Sequence, residues 1–381
     1  MNYQVSLFKP VTGATSTVGV SDSMQQPAFY ALGDSFSAGI GANCGWIEDE
    51  FDANGDCMKC NGAYPYQIVE SAQVSDNFSI MVHHLGCSGA VMNDIVERDW
   101  KNRSSQIDLM ESKSGQGRWG TMSIGGNDVG FASIVADCIM FNRPSCDADM
   151  NTTEALISNS SLLSQLNSTY LAVLDTVANS DFTLIIPSYA QFFNSETKIC
   201  NNQYFFYGRY LTQEFRARIN AMILALNLVI QTAVKKVQQQ LVDTNSPKKI
   251  FYEDWDHFFS GHRFCEAAPK TWTDAWFFTV YGSDILPNGT VVSAASNSPG
   301  DEFLIDVTSI ASSCVADNQA NLSAQMLCDW ALYLAKGIEP SGNIPTLIYP
   351  GWITKTMHPK SIAHWKLGMT IYHNWRAGKY A

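Results

Sequence analysis

Short apolar runs alternate along the chain with longer stretches whose apolar positions recur every three or four residues. The short runs, at 28–32, 79–85, 121–124, 183–187 and 249–252, have strand length, and the first four end at Gly or Ser. That pattern predicts buried strands that stop at turns. Between them lie helical patterns at 64–72, 162–178 and 212–241. In the last, Ile219, Met222, Ile223, Leu226, Val229, Ile230 and Ala233 form one apolar stripe. Strands alternating with helices predict a parallel sheet covered on both faces, a three-layer α/β/α sandwich.

The periodicity also sets the expected boundaries. Residues 1–27 have little pattern and read as an N-terminal arm, leaving 28–381 as a single domain. Within it, 266–350 breaks the rhythm. This interval holds Trp272, Trp276, Phe277, Phe278 and Tyr281, a polar stretch at 293–301, then Cys314 and Cys328. Core-like sequence resumes at 351–375, so the interval reads as an insertion rather than a second domain.

Composition narrows the function. Hydrophobic residues make up 46% and charged residues 16%, as in a globular protein. A net charge of −12 argues against nucleic acid and against anionic lipid surfaces, both of which select clustered Lys and Arg. No run of about 18 apolar residues occurs, so no membrane span is expected. Ten cysteines point to an oxidising compartment. Cys57 and Cys60 have metal or redox spacing, but no second CxxC or nearby histidine pair completes a zinc site, which favours disulfides. Seven Asn-X-Ser/Thr acceptor patterns, at Asn77, Asn102, Asn151, Asn159, Asn167, Asn288 and Asn321, agree with a secreted glycoprotein. The first 27 residues lack the basic start and the apolar run of about 7–15 residues of a signal peptide. Secretion therefore implies that a presequence has been removed, or another export route.

Three small-residue turns follow predicted strands: Gly33 to Ser35, Gly86 to Gly89, and Gly125 to Asp128. In a parallel sheet these turns share the carboxyl edge, where ligands bind. Ser35 opens a turn rich in Ser, Gly and Ala, which exposes its hydroxyl and nearby backbone N–H groups. Asn127 supplies a neutral amide donor suited to an oxyanion. A nucleophilic serine also needs a base. Of seven histidines, His83 and His84 sit in a strand pattern, His257 and His262 flank a loop, and His364 and His373 lie on a C-terminal helix. His358, in the loop just before that helix, has the most favourable position.

These residues carry a family resemblance. Ala31-Leu-Gly-Asp-Ser-Phe-Ser-Ala-Gly-Ile-Gly-Ala42 resembles the first block of the SGNH (GDSL-like) hydrolases, Cys87-Ser-Gly-Ala90 the second, Ile124-Gly-Gly-Asn-Asp128 the third, and His358-Pro359 the last. The second block and Gly261-His-Arg-Phe-Cys265 are similar to the branch of secreted actinobacterial lipases and esterases and their fungal relatives. The resemblance implies a flavodoxin-like SGNH fold and a serine ester hydrolase with no metal or organic cofactor. It assigns Ser35 as nucleophile, His358 as base, and an oxyanion hole to Ser35 N–H, Gly89 N–H and the Asn127 side chain. Many members carry Asp three residues before the histidine. Here Lys355 stands there, so a main-chain carbonyl, that of Lys355, is expected to support His358, with Asp256 or Glu266 as alternatives. By the same resemblance Cys138 pairs with Cys146, Cys200 with Cys265, and Cys87 with Cys44, Cys57 or Cys60. Cys314 would close a loop with Cys328.

The expected substrate is an acyl lipid or small ester. Two other readings are a polysaccharide O-acetyl esterase and a non-catalytic secreted binding protein on the same scaffold. Acyl transfer to an alcohol would use the same acyl-enzyme. The aromatic stretch 272–281 either lines an acyl pocket, acts as a lid, or packs the insertion onto the core.

Overall fold

Five parallel strands form the centre of the molecule: β1 (Ala28–Gly33), β2 (Met81–His84), β3 (Gly117–Ser123), β4 (Thr183–Pro187) and β5 (Lys249–Glu253). Their spatial order is β2-β1-β3-β4-β5. This is a computed structural model, and it describes residues 28–44, 57–77, 79–97, 104–112, 117–177, 181–205, 208–267, 270–279, 282–292 and 355–380. All six residues of β1 are buried, as a central parallel strand covered on both faces requires. The chain steps outward from β1 to β2, then returns across β1 to β3. The order therefore reverses between β1 and β3, which opens a crevice at their carboxyl ends.

Helices flank this sheet in two groups. They are α1 (Ser35–Ala38), α2 (Tyr64–Asp76), α3 (Met92–Val96), α4 (Gln106–Ser112), α5 (Phe131–Ser133), α6 (Cys146–Ser158), α7 (Ser160–Thr176), α8 (Gln213–Asp243) and α9 (Ser361–Arg376). Helix α5 runs straight into a π-helical segment, Ile134–Met140. Helices α2 and α9 pack on each other, while α7 packs on α3, α4 and α8. This is the three-layer α/β/α arrangement expected from the alternating pattern.

Helix α8 shows how local sequence sets an element. Thr212 is its N-cap, accepting the Phe215 N–H at 3.3 Å, so the helix begins one residue later than periodicity alone suggests. Its stripe of Phe215, Ile219, Met222, Leu226, Ile230 and Val234 is buried. By length and composition α8 is apolar enough to cross a membrane, yet half of its most apolar window is buried inside the molecule. A stripe facing a protein core accounts for that composition.

Strand β3 begins at Gly117, four residues before the apolar run at 121–124. Arg118 is exposed and Gly120 has no side chain, which hides the strand from a hydrophobicity pattern. Helix α6 was also masked by composition, with many polar residues and only Cys146, Met150, Thr153 and Ile157 buried. It is anchored at one end by the Cys138–Cys146 disulfide and along its length by Arg209 on Asp147 and Arg218 on Glu154.

Four disulfides occur among the described residues: Cys44–Cys60, Cys57–Cys87, Cys138–Cys146 and Cys200–Cys265. The last two are the expected pairs, and Cys87 takes Cys57 from its three candidates. The two cysteines of the CxxC spacing thus go to different partners. Cys314 and Cys328 lie outside the described residues, as do the polar stretch 293–301, Tyr281, and the acceptor patterns at Asn102 and Asn321.

The described part of the aromatic stretch packs on the core. Phe277 and Phe278 are buried, and they bridge to Pro359 and Thr356 respectively. Phe277 stacks on Phe259 at 4.5 Å. Beyond it, β6 (Asp284–Ile285) and β7 (Val291–Val292) form a short hairpin. Asp284 accepts the Ser361 N–H at 2.9 Å and so ties the hairpin to the start of α9.

Candidate active site

Strand β1 delivers Ser35 to the crevice through a turn that depends on glycine. Gly33 has φ of +122°, and a Cβ there would lie 2.1 Å from the Ser123 carbonyl oxygen. Only glycine lets β1 and β3 approach this closely where they end. Asp34 then caps α1 by accepting the Phe36 N–H at 3.0 Å, and Ser35 is the first helical residue.

His358 Nε2 lies 2.7 Å from Ser35 Oγ, across 323 positions of sequence. Its other ring nitrogen, Nδ1, lies 3.3 Å from the Thr356 carbonyl oxygen. With the proton on Nδ1 donating to that carbonyl, Nε2 has its lone pair turned toward the serine hydroxyl. The carbonyl that faces Nδ1 is thus that of Thr356, one residue on from the expected Lys355. The Lys355 oxygen instead accepts the backbone N–H of His358 at 2.9 Å and closes the turn that presents the ring. Neither alternative carboxylate has His358 as a partner. Asp256 accepts from Gln191 N, Gln191 Nε2 and Arg263, and Glu266 accepts from Asn194 and the Arg263 N–H.

The histidine turn carries strain and is splinted. Met357 has φ of +65°, a left-handed conformation unusual for a non-glycine residue. The aromatic stretch holds it: Met357 N–H donates to Phe278 O at 3.0 Å, Phe278 N–H to His358 O at 2.9 Å, and Lys360 N–H to Trp276 O at 2.8 Å. Phe36 packs its ring against the imidazole, with centroids 5.4 Å apart. Among the described residues of 273–279, none lines the cleft described below.

In this turn the backbone carbonyls of Lys355 and Thr356 face His358, and the Lys355 side chain turns toward Phe278. Its ammonium lies 5.5 Å from the centre of the Phe278 ring. Lys355→Met keeps the alkyl stem and should change kcat/KM by roughly threefold or less, the scale of about 0.5 kcal/mol. A steady-state comparison checks this; a loss like that of removing the nucleophile would contradict it.

The other two turns reach the same crevice. Ser88, Gly89, Gly126 and Asn127 line one cleft together with Ser35 and His358. Gly89 has φ of +83°, and Asn127 Nδ2 donates to the Ala90 carbonyl at 2.9 Å. Among the described residues, neither the Ser35 nor the Gly89 N–H donates to a backbone carbonyl. The Asp128 carboxylate accepts the Met92 N–H at 3.0 Å, so it holds the start of α3, and burial pushes its pKa up to about 6.

A buried polar network lies beneath Ser35. Asp34 is 1% exposed and accepts from Phe36 N, Ser123 Oγ at 2.8 Å and Tyr189 Oη. Burial pushes its pKa up to about 6, while the bonds from Tyr189 and Ser123 pull the other way. Ser37 Oγ lies 2.9 Å from both Ser123 Oγ and Tyr64 Oη. The pattern of turns gives no hint of Tyr189, Ser123 or Thr356. Tyr189 follows β4 at the same carboxyl edge, and that position was the one available signal.

The remaining histidines have other partners. His84 Nε2 sits 3.0 Å from Ser37 O, and burial drives its pKa well down. His364 accepts the Tyr64 N–H at Nδ1, and burial lowers its pKa to about 3, so it stays neutral near pH 7. His257 faces the Asp254 carbonyl and His262 stacks on Trp276.

The cleft beside Ser35 encloses about 980 Å³ with its mouth. Its walls are mostly apolar: Ile40, Phe131, Val135, Met140, Phe192 and Ile223 among them.

The serine–histidine pair thus lies at the switch point of a doubly wound sheet. The chain is 27% identical to lipase 1 of Streptomyces coelicolor over 268 residues, covering 69% of this chain and 84% of that protein. It is 25% identical to a lipase of Streptomyces rimosus, over 68% of this chain and 83% of the relative. Among solved structures it is similar to the extracellular lipase of Streptomyces rimosus, with a TM-score of 0.48 and 22% identity over 67% of this chain and 88% of that one. No family model matches the chain. With its four ordered sequence blocks the chain resembles the SGNH (GDSL-like) hydrolases, and with its lipase relatives it is an ester hydrolase.

Proposed function

We propose that this protein cleaves carboxylic esters through an acyl-enzyme on Ser35. The observation that carries the reading is the 2.7 Å contact between His358 Nε2 and Ser35 Oγ at the mouth of an apolar cleft. His358 takes the hydroxyl proton as Ser35 Oγ attacks the ester carbonyl carbon. The carbonyl oxygen becomes an oxyanion held by the Ser35 and Gly89 N–H groups and the Asn127 amide. One Asn127 amide hydrogen is engaged by Ala90 O, and the second is available to the oxyanion. Protonated His358 then gives its proton to the leaving alcohol. A water, activated by the same imidazole, releases the carboxylic acid and restores the serine. Among the described residues the Thr356 carbonyl faces Nδ1 of the ring, which supports a serine–histidine dyad.

The apolar walls support a substrate with an acyl chain longer than acetyl, lipase- or esterase-like, over a polysaccharide deacetylase. Turnover of acetyl, butyryl and long-chain esters, set beside acetylated xylan, tests this. Faster turnover of the longer acyl esters is expected; rapid xylan deacetylation with little acyl-ester activity would overturn it. Asn127→Ala should lower kcat by roughly 10²–10³, the usual cost of one oxyanion donor, with a smaller change in KM. The disulfides support secretion, since such bonds persist in oxidising compartments. Of the acceptor asparagines, Asn288 is exposed at the tip of the β6–β7 hairpin, and Asn151 accepts from Arg218 at 2.6 Å.

A further inference from the structure

We propose that Tyr189 is a positioning residue that locks the nucleophile turn and the oxyanion loop into one rigid unit. The inference rests on the serine-hydrolase reading above and adds a residue to it. The Tyr189 hydroxyl makes two bonds. It donates to Asp34 Oδ2, next in sequence to Ser35, and accepts the Gly126 N–H at 3.1 Å, next to Asn127. Each bond therefore lands one residue from a different reacting group. Asn127 in turn donates to Ala90 O, beside Gly89. The chain of bonds runs from Ser35 through Asp34, Tyr189, Gly126 and Asn127 to the Gly89 turn, and so spans all three oxyanion donors.

Tyr189 is itself held in place. Asn227 on α8 clasps its backbone from both sides, accepting the Tyr189 N–H at 2.9 Å and donating to the Tyr189 carbonyl at 2.7 Å. The ring meets the edge of Phe36 at 5.0 Å, and a Cβ on Gly126 would come within 3.2 Å of it. Tyr189 is 6% exposed, and burial and the adjacent Asp34 carboxylate drive its phenol pKa up, so the hydroxyl keeps its proton and acts as a donor. Preorganised donors stabilise a transition state only if they are fixed relative to the attacking atom, and small misplacements are costly.

The test is Tyr189→Phe, alone and combined with Asn127→Ala, with kcat normalised to sites titrated by a slow phosphonate ester. A positioning role predicts that Tyr189→Phe lowers kcat by roughly 10- to 100-fold while KM for a butyryl ester stays within about twofold. In the Asn127→Ala background the further loss should shrink to about threefold or less, because the donor it places is already gone. Asn227→Ala loosens the clasp while keeping the hydroxyl, and should show the same non-additivity; it serves if Tyr189→Phe does not fold. An unchanged kcat, a raised KM alone, or losses that multiply with Asn127→Ala would overturn the inference. A wild-type protein that turns over no ester would instead overturn the serine-hydrolase reading. If Asn127→Ala behaves as expected and Tyr189→Phe is silent, only the role of Tyr189 falls.

Discussion

Ser35→Ala should lower ester turnover by at least about 10⁴-fold, leaving only what the oxyanion donors and substrate binding supply without a nucleophile. The side chain is nearly buried, and its hydroxyl faces His358 Nε2. Alanine fits the first turn of α1, and Asp34 still caps Phe36 through its own side chain. The fold should therefore persist, with a melting temperature within a few degrees of the wild type. Steady-state kinetics with a chromogenic butyryl ester, beside a thermal melt, checks both halves. Substantial residual turnover would remove Ser35 from the mechanism. A collapse of the melt would mean that the loss of activity had a structural origin.

His358→Ala should cost roughly 10³–10⁴ in kcat, the range for removing a general base that also serves as the acid. The turn itself is built from backbone bonds at Lys355, Met357, His358 and Lys360, which alanine keeps. The variant should therefore fold. Its residual rate should rise with pH across the range in which the wild type levels off, because hydroxide replaces the missing base. Added imidazole should restore part of the rate by occupying the vacated space beside Phe36. A His358→Ala enzyme with wild-type kcat would show that another group takes the serine proton. The candidates named by position are poor replacements. His364 is buried and neutral, and His84 is bound to Ser37 O.

The crevice was legible before any coordinate because a parallel sheet leaves few choices. Turns after β1, β2 and β3 emerge on one edge, so Ser35, Gly89 and Asn127 had to share a neighbourhood once the three apolar runs were read as strands. His358 was harder. A loop before a helix favoured it over the other histidines only weakly, and the family blocks added the rest. What escaped reading is what depends on contacts far apart in the chain. Tyr189 reaches Asp34 across 155 positions and Gly126 across 63, and a tyrosine after a strand has no local signature.

The misplaced carbonyl has a local cause. The turn 355–358 is closed by His358 N–H on Lys355 O, and the left-handed Met357 rotates the ring toward Thr356 O. Such a backbone reversal cannot be read from side-chain identity. By composition the aromatic stretch left a pocket, a lid and packing onto the core open; its described residues pack on the core and splint the histidine turn through backbone bonds that any sequence could make. Asp34 and Asp128 both accept backbone N–H groups near the turns that carry Ser35 and Asn127. Asp34 does more, since its second oxygen receives the Tyr189 hydroxyl.

Covalent labelling tests the central claim most directly. The wild-type protein, with its disulfides formed, is treated with an alkyl phosphonate ester probe, digested and mapped by mass spectrometry. One adduct per chain, on the peptide carrying Ser35, lost in Ser35→Ala and strongly slowed in His358→Ala, is the predicted result. Folded protein that never labels, or that labels at a different serine with Ser35 unmodified, would contradict the account.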